Sequence, residues 1–121
     1  MKHYLFFIIF FSSFLYSQTR EKTDSILYYS KLSRSSIKAN KYKDALFFTQ
    51  KAINYSKANH KTQSQALQTY HLGKIYFDLK KYDQALKTFY KCIQLYKVLP
   101  PSATYASAYY YLGICNKKIK D

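Results

Sequence analysis

Leucine returns at Leu32, Leu72 and Leu112, each time after a constant offset of 40 in sequence number, and other residues keep the same interval. Tyr29 returns as Tyr109, Gly73 as Gly113 with the small Ser33 in the earlier place, and Lys51 and Ile53 as Lys91 and Ile93. The run Lys41, Tyr42, Ala45, Leu46 recurs as Lys81, Tyr82, Ala85, Leu86. A fixed period of this kind turns a chain into a stack of like units, each able to bury its apolar face only against a neighbour. Agreement at so many positions under one offset is not what chance gives in a chain of 121 residues.

The unit itself is read most clearly between Thr69 and Ile93. Leu72, Gly73 and Tyr76 share one helical face, and Ala85, Phe89, Cys92 and Ile93 follow at helical spacing after a break too short to be a loop. Two antiparallel helices satisfy both patterns. Gly73 and Ala85 are small where the helices must approach, and Tyr76 and Phe89 fill the space beside them. With only two Gly, two Pro and no Trp, the chain lacks the turn residues that many strands require, so the fold class is all-α. The spacing predicts helices over about 23–39, 42–57, 63–79, 82–98 and 103–119, with Thr23 or Asp24 as the first N-cap. Leu99, Pro100, Pro101 and Ser102 interrupt the fourth and fifth, because proline has no amide donor and restricts the residue before it.

The stretch 1–17 reads differently. Lys2 precedes an apolar run from Tyr4 to Leu15, broken by Ser12 and Ser13 and followed by the small Ser17. That run is shorter than the roughly 20 residues that cross a bilayer. It predicts a secretory signal over 1–17, cleaved between Ser17 and Gln18, with an uncleaved anchor as the alternative. Residues 18–22 are a polar lead-in, and 23–121 form the repeat domain. The expected localisation is therefore exported, periplasmic or secreted, or membrane-anchored as part of a longer chain. Membrane contact would require an uncleaved leader or a downstream segment. Loss of Lys2 takes the formal charge from +14 to +13. In a cytosolic chain that balance would point to nucleic acid; export argues against it. Two readings remain, lysines solvating helix backs and attraction to an acidic partner.

On these residues the chain resembles the tetratricopeptide repeat family. The family's signature places fall on Leu72, Gly73, Tyr76, Tyr82, Ala85, Phe89 and Cys92 in the middle unit. Leu32 and Ala45 represent it in the first unit, and Leu112 and Gly113 in the third. The first unit departs at Ser33, Ser36 and Thr49, and the third at Asn116. The period of 40 also exceeds the family's usual unit of about 34, which implies helices longer by a turn or so. The resemblance implies a right-handed solenoid of two and a half repeats, with units over about 23–57, 62–98 and 102–121. The last unit holds one helix, which implies a cap, self-association through the C-terminal helix, or a longer parent protein.

By the same resemblance the chain is a scaffold for protein–protein interaction, binding a peptide or protein along the concave face of the first helices. The groove places carried over are Ser30, Arg34, Ile37 and Lys38, then Tyr70, Lys74, Phe77 and Asp78, then Tyr110, Ile114, Lys117 and Lys118. Arg34, Lys38, Tyr70, Lys74, Phe77, Tyr110 and Lys117 are the expected partner contacts, making a basic, aromatic face suited to an acidic peptide. Arg34, Lys74 and Ile114 stand where chaperone-tail-binding members carry asparagine, so that activity is not implied. Two other functions fit the same features. One is the sensory front of a bacterial signalling protein with a membrane helix and a kinase or DNA-binding output. The other is a binder of anionic envelope polymer or membrane surface.

Catalysis is not expected. His3 lies in the leader, His60 in a connector, and His71 has no acidic residue at i±3 or i±4. Six acidic residues scattered along helices give no nucleophile with its base and orienting group. No cofactor or metal motif is present. Cys92 and Cys115 either form a disulfide, if their helices bring them within about 7 Å, or serve as two buried apolar fillers.

Overall fold

The computed structural model describes residues 24–121. The predicted leader, the lead-in and the Thr23 cap lie outside the described residues. Helix α1 occupies residues 24–38, so Asp24 is already helical. It is followed by α2 (Tyr42–Ala58), α3 (Thr62–Asp78), α4 (Tyr82–Tyr96) and α5 (Ala103–Lys120). The described residues are all-helical, and α2 packs on α3, α3 on α4, and α4 on α5. Each helix lies against its neighbours in sequence, as in a helical solenoid.

Three of the four connections have one geometry. Asn40, His60 and Lys80 sit at φ 57°, 55° and 60°, evenly spaced at half the period of the leucines. The amide of the following lysine closes back across each turn, from Lys41 to the Ser36 carbonyl at 2.8 Å, Lys61 to Ser56 at 2.9 Å and Lys81 to Tyr76 at 2.9 Å. The left-handed residue itself donates to the carbonyl three before it, at 3.0, 3.2 and 2.9 Å. This pair of bonds is the Schellman motif, which satisfies carbonyls left over at a helix end. One turn type repeated at every half-period therefore sets the hairpins, and two such turns complete the sequence repeat. The fourth connection differs. Helix α4 stops at Tyr96, two residues before the predicted end, because the Leu99 amide bonds to the Tyr96 carbonyl at 3.0 Å and tightens the chain into a turn. After Pro100 and Pro101, Ser102 is extended and its hydroxyl accepts from the Tyr105 amide at 3.2 Å, starting α5.

The apolar core lies where α3, α4 and α5 meet. Ala66, Ala85, Phe89, Cys92, Ile93, Tyr96, Ala108 and Cys115 form it, with Phe89 fully buried. Gly73 is required here, since a Cβ on it would stand 2.8 to 2.9 Å from three Phe89 ring atoms. The first unit solves the same position with other chemistry. Ser33, in the place of Gly73, shares a 2.5 Å hydrogen bond with Thr49, in the place of Phe89, and donates to the Ala45 carbonyl at 3.3 Å. Thr49 and Ala45 are fully buried, so a polar staple holds α1 to α2 where an aromatic ring holds α3 to α4. Both cysteines are buried free thiols, the second of the two predicted alternatives.

Candidate functional site

The first helices of the units, α1, α3 and α5, carry the expected partner contacts, and their spacing decides which meet. Ser30, Ser33, Arg34 and Ile37 face Gln68, Tyr70, His71, Lys74, Ile75 and Asp78 around a hollow of about 240 Å³. Gln68 closes its floor by donating to the Ser30 hydroxyl at 3.3 Å, which ties α3 to α1 below the opening. Arg34 and Lys38 are exposed, while Lys74 is half-buried. Arg34, His71 and Lys74 thus bring three nitrogen-bearing side chains to one small space, with Asp78 the single carboxylate among its lining residues.

His71 is the member that sequence reading set aside. Burial lowers its pKa below 6.5, and the Arg34 charge lowers it further, so the imidazole is neutral at neutral pH. Its partner, Arg34, stands on a different helix of the preceding unit, so no pattern local to α3 reveals the pairing.

Lys74 is committed more firmly than the sequence suggests. Its ammonium donates to the Tyr111 hydroxyl at 2.7 Å and lies 4.3 Å from the centre of that ring, bridging α3 to α5. Burial pulls its pKa down, but the hydrogen bond to Tyr111 and the neighbouring Tyr111, Asp78 and Tyr70 more than restore it, leaving it above 10.5. Tyr111 is also stacked on Phe89 at 5.4 Å and edge-on to Phe77 at 5.1 Å, with Tyr70 at 6.3 Å. Tyr70 and Phe77 are half-buried in this cluster rather than open along a groove. Aromatic pairs at these separations hold helices together beyond the area they bury. Tyr110 is 66% exposed and Lys117 is exposed, so both of these α5 residues face solvent.

A second groove was not expected from sequence. It holds about 570 Å³ between α2 and α4, above α3, and is lined by Gln50, Asn54, Lys57, Gln65, Lys91 and Gln94 over an apolar floor that includes Ile53 and Leu72. Polar residues one turn apart on a helix back are the ordinary pattern of a solvated surface, which is why they carried no signal. Among the described residues no cluster of three or more His, Cys, Asp or Glu could hold a metal ion, and no helix is long and apolar enough to cross a membrane.

Comparison with known proteins gives one family. The family model described as Tetratricopeptide repeat matches residues 65–121, which span most of α3, all of α4 and all of α5. No curated protein and no solved structure gave a match.

Proposed function

Residues 65–121 match the tetratricopeptide repeat model, a protein–protein interaction fold, and from that match we infer that the chain binds an acidic peptide segment along α1, α3 and α5. The observation that carries this reading is the hollow in which Arg34, His71 and Lys74 converge with one carboxylate beside them. At about 240 Å³ it is smaller than the roughly 300–1,000 Å³ of a metabolite pocket. That size suits one or two side chains of an extended partner. The exposed Arg34 guanidinium supplies a bidentate partner for a carboxylate. A formal charge of +14 favours encounter with acidic segments. The leader reading of residues 1–17 supports an exported setting for this binding. The chain's role in this reading is that of a scaffold.

The test is a fluorescence anisotropy titration with an extended acidic peptide and its amide counterpart, in which every Asp and Glu is replaced by Asn and Gln. The acidic peptide should bind more tightly, Arg34→Ala should weaken it about tenfold, and Lys43→Ala on α2 should leave it unchanged. Equal affinity for the two peptides, or equal effects of the two substitutions, would sink the reading. The groove between α2 and α4 favours one further reading, since Lys57 and Lys91 flank four amide side chains and no carboxylate lines it. That groove suits an anionic polymer, with affinity that falls steeply as salt rises.

A further inference from the structure

The groove between α2 and α4 differs in chemistry from the hollow between α1 and α3. Its walls are the second helices of successive units, which run in the same direction, so a place on α2 recurs on α4 one full period later. Asn54 and Gln94 are such a pair, and both are exposed amides in the lining. Gln50 Nε2 donates to Asn54 Oδ1 at 3.0 Å, which holds the two side chains together and leaves Gln50 Oε1 and Asn54 Nδ2 to offer a ligand. The amide side chains of Gln65 and Gln94 have no hydrogen-bond partner among the described residues. Below them the floor is apolar. Ile53 and Leu72 are buried there, and the hydroxyls of Thr69 and Thr88 each donate at 2.7 Å to a carbonyl of their own helix. Tyr90, 59% exposed, stands on the α4 wall. Lys57 and Lys91 are exposed without an ion pair among the described residues, and no carboxylate lines the groove.

We propose that this groove binds a short run of acidic sugar units. An amide side chain both donates and accepts hydrogen bonds, and so does every hydroxyl on the rim of a sugar ring. The faces of that ring carry C–H groups, which suit an apolar floor and the exposed ring of Tyr90. Asn54, Gln65 and Gln94 hydrogen-bond the hydroxyls, and Lys57 and Lys91 take the carboxylates. At about 570 Å³ the groove lies within the roughly 300–1,000 Å³ of a small-molecule site. An acidic polypeptide would meet the lysines as well, but it must be ordered residue by residue, whereas stiff sugar rings lose less freedom on binding. The proposal rests on the anionic-polymer reading of this groove, which it narrows to a glycan, and it is independent of the acidic peptide assigned to the hollow.

The experiment is isothermal titration calorimetry of the full chain carrying Arg34→Ala, so that the hollow contributes little. The probes are trimers of galacturonate, mannuronate and guluronate, the methyl ester of each, and triglutamate. At least one uronate trimer should bind, with its ester and triglutamate each about tenfold weaker. Asn54→Ala and Gln94→Ala, both at exposed positions, should weaken the uronate about tenfold and leave triglutamate unchanged, while Lys91→Ala should weaken both. Equal binding of uronate and triglutamate, or amide variants that keep the uronate's full affinity, would overturn the glycan assignment and leave the anionic-polymer reading standing. Tighter binding of triglutamate would give the groove to a peptide and overturn the proposal. Esters bound as well as acids, or no binding by any probe, would remove the anionic-polymer reading and the proposal with it.

Discussion

Exchanging the Gly73–Phe89 pair for the Ser33–Thr49 pair of the first unit tests whether the two hairpins are one design with two chemistries. Phe89 is fully buried, so Phe89→Thr removes most of a ring from a closed core. By analogy with Phe→Ala this costs about 3 kcal/mol, near the low end because threonine fills part of the space. Gly73→Ser places a Cβ 2.8 to 2.9 Å from three ring atoms that are themselves stacked on Tyr111 and cannot retreat. Overpacking of this kind costs about 1 to 3 kcal/mol. Independent effects would sum to about 4 to 6 kcal/mol, comparable with the whole stability of a small domain. In the double variant the clash disappears with the ring, and the introduced hydroxyls can form the bond seen at 2.5 Å between Ser33 and Thr49. A buried hydrogen bond contributes about 1 kcal/mol. The double variant should therefore lose only about 2 to 3 kcal/mol, a favourable coupling of about 1 to 4 kcal/mol. Urea unfolding followed by circular dichroism measures all four corners of the cycle. Additive losses within about 0.5 kcal/mol would show that the two positions do not share one geometry.

Three further outcomes follow from the same coordinates. Lys80 holds a left-handed backbone at φ 60°, so Lys80→Gly should stabilise the chain by about 0.5 to 1 kcal/mol in urea melts, whereas a loss would show that its side chain contributes to the turn. His71 has its folded pKa below the unfolded 6.5, so the unfolded state binds the proton more readily and stability is lost as pH falls from 6.5 through the folded pKa. Melts at pH 7.5 and 5.0 should differ less in His71→Gln than in the parent chain; an unchanged difference would place the pH response elsewhere. Burial pushes the Cys92 thiol up to about 12, and alkylation in buffer should be slow there and become rapid in denaturant. Mass spectrometry that finds Cys92 modified in the native chain would contradict its place in the core.

The helices were legible because apolar residues at helical spacing and small residues at the crossings are local signals. Their ends moved by only a residue or two, most at α4, where the Leu99 amide closes a turn that no residue type announces. The half-period set by the turns was not legible. Asparagine is a recognised left-handed residue, but His60 and Lys80 take the same conformation without glycine or asparagine to mark it. Among the residues assigned to the partner face, Arg34, Lys38, Tyr110 and Lys117 are exposed. Tyr70, Lys74 and Phe77 were assigned to a groove by their places in the repeat. What their places could not reveal was Tyr111, which belongs to no motif and whose ring reaches Tyr70, Phe77 and Phe89. Which of three consecutive tyrosines turns inward depends on how α5 rotates against α3 and α4, and that is a tertiary fact.

The commitment of Lys74 changes how charge is distributed along the partner face. A lysine that hydrogen-bonds a tyrosine hydroxyl and lies over its ring is held in place, but its positive charge is not neutralised. It therefore still raises the potential of the hollow while Arg34, exposed and unconstrained by that cluster, is the group free to grip a carboxylate. Fixing one cation and leaving one mobile lowers the side-chain entropy lost on binding, since only Arg34 must be ordered when a ligand arrives.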